Sequence, residues 1–272
     1  MGKIIAVCKS KEVEKVPIIR LIEGEKLDLE DVVVRETPFT IILNNEELVT
    51  LLCSPTDLKY LAIGFLFSEG LLHNKDEINK ILLDEHRSII RVETKDGLQP
   101  GKDVLFKRFL TSGCGRGASF YNAADVQTQN KIESKVSIST SEIFTLAKEF
   151  NHRSQVFLET GGVHSAALCD TTSILVFKED IGRHNAIDKI FGECLLTDIS
   201  TENRLIITSG RISSEILLKV ARREIPIIIS KSAPTNLGIK LAKDLGITLI
   251  GFARGKRMNV YASMWRISDV NK

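Results

Sequence analysis

The sequence lacks any long apolar run. Its most hydrophobic early stretch, residues 58–72, carries Lys59 and Glu69 and stops short of the roughly 20 apolar residues that a membrane span needs. It predicts a core helix, and no membrane partner is expected. Near the start, residues 4–8 form a run of only five apolar residues between lysines, too short for the hydrophobic region of a signal peptide, so a cytoplasmic location is expected. An excess of charge is also missing: 37 Lys and Arg face 35 Asp and Glu, a net of +2, which supplies no global field for gripping nucleic acid. The five cysteines, Cys8, Cys53, Cys114, Cys169 and Cys194, are odd in number and without CxxC spacing. That argues against a disulfide framework and a structural zinc cage and suits a reducing compartment. The absence of GxGxxG argues against a nicotinamide-dependent oxidoreductase.

What is present is the composition of an ordinary globular protein, 43% apolar and 26% charged over 272 residues, enough for one large or two modest domains. Short alternating runs at 32–35, 39–43 and 48–53 predict strands, with Asn44-Asn45 as a hairpin turn. Ser54-Pro55-Thr56-Asp57 predicts a helix start with proline at the first helical position, and Gly70 its end. Strands at 89–93 and 104–106 would flank the turn-rich Asp96-Gly97 and Pro100-Gly101. The glycine-dense Ser112-Gly113-Cys114-Gly115-Arg116-Gly117 breaks this pattern, which sets an expected boundary between a small N-terminal domain, 1–110, and a second domain, 111–272. Ser139 and Glu142 have capping-box spacing and open a helix reaching about Phe150.

From Ser173 one plan repeats three times: an apolar strand (174–177, 205–208, 226–230), a loop of small polar residues, then an amphipathic helix. A last strand, 247–252, leads into Arg254-Gly255-Lys256-Arg257. Such alternation predicts a largely parallel sheet covered by helices, with ligands beyond the carboxyl ends of the strands. The loops carry Gly182, Arg183 and His184, then Ser209, Gly210 and Arg211, then Ser232 and Thr235. Glycines, hydroxyls, helix N-termini and guanidinium groups together favour phosphate, through free backbone N–H groups and bidentate arginine contacts. Glycine and serine also simply make turns; four such loops in register tilt the reading towards a nucleotide-like ligand. His184 serves there either as a phosphate donor or proton carrier, or as a helix-capping hydrogen-bonder. His164, followed by Ser165-Ala166-Ala167, either joins the site or faces the core.

Cys114 stands apart from the other thiols. Glycines flank it and Arg116 lies two residues on, a setting that favours an accessible thiolate, the nucleophilic and sulfur-accepting form. The other four lie in or near apolar runs or an apparent turn, where a buried structural thiol is the default.

Taken in order, the motifs Arg35-Glu36-Thr37-Pro38, Ser54-Pro55, Gly64-Phe65-Leu66, Glu69-Gly70, Ser112-Gly113-Cys114-Gly115, Thr160-Gly161-Gly162-Val163-His164, Asp180-Ile181-Gly182-Arg183-His184-Asn185-Ala186-Ile187-Asp188-Lys189, Ser209-Gly210-Arg211, Ser232-Ala233-Pro234-Thr235 and Phe252-Ala253-Arg254 span nearly the whole chain. The chain resembles the formate dehydrogenase accessory sulfurtransferases of the FdhD type. The resemblance implies an α/β (α+β overall) architecture, with a C-terminal cytidine-deaminase-like three-layer domain, a smaller α/β N-terminal domain, and a homodimer. It implies that a cysteine desulfurase loads sulfur as a persulfide onto Cys114, and that the sulfur passes to the bis(molybdopterin guanine dinucleotide) molybdenum cofactor destined for the formate dehydrogenase apoenzyme. The family's guanine-dinucleotide contact falls on Phe252, Ala253, Arg254, Gly255, Lys256 and Arg257.

Many members carry CxxC in the loop, whereas this chain reads Cys114-Gly115-Arg116-Gly117; a persulfide needs one sulfur, but a relay between two loop thiols is excluded. The rival classes are a non-catalytic chaperone that binds the cofactor without moving sulfur, and a zinc deaminase. The second requires His-x-Glu and Pro-Cys-x-x-Cys segments. Ala166 stands where His164 would need its glutamate and no proline precedes a cysteine, so no zinc is expected.

Overall fold

A computed structural model describes residues 11–95, 109–110, 118–119 and 130–270. Cys8, Cys114, the strand expected at 104–106 and the turns expected at 96–97 and 100–101 lie outside the described residues. The expected boundary between 110 and 111 falls where only the pair β7 (Phe109–Leu110) and β8 (Ala118–Ser119) is described.

The N-terminal part begins with a two-stranded ribbon, β1 (Val13–Ile22) and β2 (Glu25–Val34). It continues into a four-stranded sheet of order β4-β3-β6-β5, made of β3 (Thr37–Leu43), β4 (Glu46–Cys53), β5 (Ile78–Asp84) and β6 (Ile89–Thr94). Asn44 and Asn45 form the expected hairpin turn, with φ of +48° and +68°, a left-handed conformation that asparagine tolerates better than most residues.

Helix α1 (Leu58–Ser68) differs from its predicted start. It begins at Leu58 after Asp57 in a left-handed conformation with no side-chain cap, so Pro55 is not its first residue. The polar side chains before it are engaged elsewhere: Ser54 Oγ accepts the Ile181 N–H at 3.2 Å and Asp57 accepts Lys178 at 3.0 Å. Tertiary partners outcompete local capping here. Gly70, at φ +76°, follows the helix as predicted.

Apolar on nearly every side, α1 is buried on nearly every side, as such a helix must be. One side packs on the four-stranded sheet, with Leu61, Phe65 and Leu66 in one core with Phe39 and Ile41. The other crosses α4 (Arg183–Thr197) at Gly64 and Gly192. A Cβ on Gly64 would sit 1.7 Å from the Asp188 carbonyl oxygen, and one on Gly192 would sit 1.9 Å from that of Tyr60, so only hydrogen at both positions allows this approach.

The C-terminal sheet has the order β10-β9-β11-β12-β13-β14, built from β9 (His164–Cys169), β10 (Ile174–Asp180), β11 (Leu205–Thr208), β12 (Ile227–Ser230), β13 (Thr248–Arg254) and β14 (Arg257–Ala262). Alternate residues feed opposite faces. Ile206 and Ile228 join the core under α4, α5 (Ser214–Ala221) and α6 (Asn236–Asp244), whereas Ile207 and Ile229 join the core under α2 (Thr140–Arg153). Three layers result, helices on both sides of a doubly buried sheet. The predicted capping box opens α2, with Ser139 and Glu142 bonding reciprocally. The short α3 (Gln155–Thr160) precedes β9.

The sheet is mixed rather than largely parallel: only β11–β12 and β12–β13 pair in parallel. The unpredicted strand β9 lies antiparallel between β10 and β11. Its small residues, Ser165, Ala166 and Ala167, carry no β-branched or aromatic signal. Two antiparallel steps restore direction, so β10, β11, β12 and β13 still end at one edge.

Candidate functional site

That common edge collects the four loops the sequence singled out, and β9 adds the residue it starts with. His164 pairs with Asp180 at the end of β10, and Thr208 at the end of β11 pairs with Ala166 and Ser230. His164, Ile181, Ser209, Lys231 and Arg254 therefore converge on a cleft of about 490 Å³, closed on one side by Phe157 and residues 161–163.

The groups lining it are fixed by hydrogen bonds. Ser209 Oγ accepts the Ser165 N–H at 3.0 Å and lies 3.2 Å from His164 Nδ1. With one lone pair of Ser209 Oγ occupied, donation of its hydroxyl hydrogen to Nδ1 would place the histidine proton on Nε2. Burial, with Arg183 and His184 nearby, holds the His164 pKa below its ordinary value, so the ring is neutral at pH 7. Arg254 Nε donates to the Lys231 carbonyl at 2.8 Å, which ties the loops after β12 and β13 together. Burial and the neighbouring Arg254 lower the Lys231 pKa. An anion entering the cleft would relieve that repulsion.

Behind the cleft lies a buried frame. Asp180 is ion-paired with Lys189 at 2.8 Å, both side chains fully buried. It also accepts the N–H of Ser54 at 3.1 Å and of Gly182 at 2.8 Å, and Asn185 Nδ2 at 2.9 Å. These bonds fix the start of α4, where Arg183 packs against Gly210: a Cβ there would sit 2.8 Å from Arg183 Cβ. His184 turns away from the cleft towards α5, its Nε2 3.2 Å from Glu215. Burial lowers the His184 pKa despite the carboxylate, and the bond from His184 lowers that of Glu215. One turn on, buried Lys219 meets Asp188 at 2.7 Å and Glu69 at 3.1 Å.

The predicted residues thus divide. Ser209 and Arg254 line the cleft. Gly182, Arg183 and Gly210 lie directly behind it, and His184 belongs to the α4–α5 contact. Thr235 caps α6, its side chain accepting the Gly238 N–H, and Ser232 accepts the Phe252 N–H at 3.1 Å. Phe252 occupies a left-handed conformation, φ +53°, in an irregularity of the β13–β14 pairing, a strained arrangement for an aromatic residue. Ala253 is buried under α2. Gly255, Lys256 and Arg257 are exposed at the following turn, and Arg211 is exposed on its loop.

The backbone N–H groups of Ser209, Gly210, Ile212, Lys231, Ser232 and Thr235 all donate within the protein, so they do not cradle an anion. The cleft offers side chains instead. Lys231 and Phe157, absent from the predicted set, are part of it, and Lys231 lies 5.7 Å from the Phe157 ring centroid. Lys231 directly follows the strand expected at 226–230, a position legible in the sequence; Phe157 carries no such signal.

Among the described cysteines, Cys53, Cys169 and Cys194 are buried and free. Burial pushes the Cys53 and Cys194 thiols up to about 12 and raises that of Cys169, so none is a thiolate at neutral pH. Among the described residues, no group of three or more His, Cys, Asp or Glu gathers to hold a metal ion, and no helix is long and apolar enough to cross a membrane.

The pattern of the FdhD/NarQ family matches residues 34–268, most of the chain. The chain belongs to the FdhD/NarQ family. It is 44% identical to the sulfur carrier protein FdhD of Bacillus pumilus (strain SAFR-032) over 247 residues, covering 91% of this chain and 94% of that one. It is 40% identical to the protein of the same name from Staphylococcus aureus (strain MRSA252) over 253 residues, 93% and 96% of the two chains. A crystal structure described as that of a formate dehydrogenase accessory protein from Desulfotalea psychrophila superposes with a TM-score of 0.79 at 29% identity, over 94% of this chain and 99% of that one. The mixed α/β fold is therefore that of an FdhD/NarQ protein.

Proposed function

We propose that the chain is a sulfur carrier for formate dehydrogenase, with Cys114 as the carrier thiol. The Cys114 thiolate attacks the outer sulfur of a cysteine desulfurase persulfide, forming a persulfide on Cys114 and releasing the desulfurase thiolate. The acceptor is the bis(molybdopterin guanine dinucleotide) cofactor destined for the formate dehydrogenase apoenzyme. The protein acts in the cytoplasm as a homodimer, and its two domains divide at 110/111.

The observation that carries this reading is the convergence of Lys231, Arg254, Ser209 and His164 on one cleft. Two cations and two neutral donors fit the diphosphate of a guanine dinucleotide, and Phe157 offers an apolar wall. When bound, the cofactor supplies the metal centre that takes the sulfur. Lys231 and Arg254 hold its charge and Ser209 keeps the His164 Nε2–H directed as a donor. Guanosine diphosphate tests the site by calorimetry: Arg254→Ala and Lys231→Ala should each weaken its binding roughly tenfold, the cost of one charged hydrogen bond. Unchanged binding in both would exclude the cleft as the dinucleotide site.

Cys114→Ala separates carrier from chaperone. A carrier loses support of formate dehydrogenase activity while still binding guanosine diphosphate; a cofactor chaperone that moves no sulfur keeps both.

A further inference from the structure

Among the described residues, β1 and β2 pair only with each other. Their distal half stands in solvent: Ile19, Leu21, Ile22, Leu27 and Leu29 are 40–72% exposed. An isolated two-stranded ribbon is marginal in water, and a concentration of exposed apolar side chains marks a surface that is covered in use. The base of the ribbon touches the functional cleft. A Cβ on Gly162, a cleft residue, would sit 2.6 Å from Val34 Cγ1 at the end of β2.

The two edges are not equivalent. The turn residues Glu23 and Gly24 have φ of +50° and +92°, and a two-residue turn makes Ile22–Glu25 the first hydrogen-bonded pair. Alternation then points the N–H and C=O groups of Lys26, Asp28, Glu30 and Val32 away from β1. Consistent with this, the Val32 N–H is taken by Asp31 Oδ1 at 2.9 Å, which ends the free edge. By the same alternation, position 17 on β1 should carry an outward donor, and Pro17 has none; that edge is blocked. The open edge belongs to β2, whose sequence holds four carboxylates against one lysine. Leu27 and Leu29 lie on one face of it, Asp28 and Glu30 on the other.

We propose that the ribbon is a docking arm for a protein segment of alternating basic and apolar residues, which adds as a strand along the outer edge of β2 beside the cleft. Backbone groups of Lys26, Asp28 and Glu30 bond the incoming strand, its basic side chains face Asp28 and Glu30, and its apolar ones face Leu27 and Leu29. A second copy of the chain fits poorly, because antiparallel pairing of two β2 edges centred on Leu29 sets Asp28 against Glu30. The surface stands independently of what the cleft binds.

Fluorescence anisotropy with a labelled eight-residue peptide of alternating lysine and valine tests this on the full chain at about 0.1 M salt. A peptide of the same composition with its lysines in one block controls for plain charge attraction. The alternating peptide should bind at least roughly tenfold more tightly than the block peptide. Asp28→Pro removes an outward donor without touching the β1–β2 ladder and should abolish that preference; Glu30→Lys should weaken binding and carries the test if the proline variant does not fold. Guanosine diphosphate binding should be unchanged in both variants. Equal binding of the two peptides, or binding indifferent to both substitutions, would overturn the proposal. So would light scattering that shows a wild-type dimer dissociated by Glu30→Lys, since the arm would then belong to a second copy.

Discussion

His164 and His184 differ by what each faces. His164 meets a serine hydroxyl at the cleft and His184 a glutamate at a helix contact, and burial is the first cause that lowers both pKa values. The consequence for stability has a definite sign. The unfolded chain binds protons at these histidines from about pH 6.5 downward, before the folded chain does. Stability contributed by the two neutral rings is therefore present above pH 6.5 and lost as pH falls below it towards the folded values. Urea midpoints should drop between pH 7.5 and 5.5, and the drop should shrink in His164→Asn and His184→Asn; pH-independent midpoints would contradict the assignment. The sequence placed both histidines beside phosphate-suited loops but could not separate them, because the partners that decide, Ser209 and Glu215, lie 45 and 31 positions on. Arg254 was legible because a basic cluster after a strand end is a local signal. Asp180 and Lys189 open and close one motif, but their buried pairing is not legible in the sequence, since a lysine in a helix is usually solvated.

At the scale of elements, the crossing of α1 and α4 is the joint between the two sheets. Its closeness rests on Gly64 and Gly192, and the charges buried around it are paired: Asp180 with Lys189, and Lys219 with Asp188 and Glu69. Burial opposes the charge of Lys219, but the two carboxylates outweigh it and hold its pKa above the ordinary value. Lys219→Met should cost about 3–5 kcal/mol, the loss expected when one partner of a buried pair is removed and its carboxylates stay behind. Gly64→Ala should destabilise by about 1–3 kcal/mol or more, because backbone must move to admit the methyl group. Denaturant unfolding measures both, and a change below about 0.5 kcal/mol in either would mean the joint is looser than its geometry. Elements with a strong local signal were readable: β11 matches its predicted bounds, and Ser139 with Glu142 caps α2 as expected. Strand β9 is not legible, its alanine-rich sequence having no strand preference, nor is the antiparallel insertion that makes the sheet mixed.

For the whole molecule, the layers run from the N-terminal sheet through α1 to α4, α5 and α6, then the second sheet, then α2. This stack sets the ends of β10 to β13 and the start of β9 around one cleft and leaves the β1–β2 ribbon standing at its rim. Family membership supplies the chemistry the fold serves, and Cys114 is the residue on which the proposed sulfur transfer turns. The most direct measurement is peptide mass spectrometry of the full chain after incubation with an active cysteine desulfurase and free cysteine. The peptide containing Cys114 should gain one sulfur atom, removable by a reductant. No gain there, with the desulfurase shown to load another acceptor, would contradict the carrier assignment and leave a protein that holds the cofactor without moving sulfur.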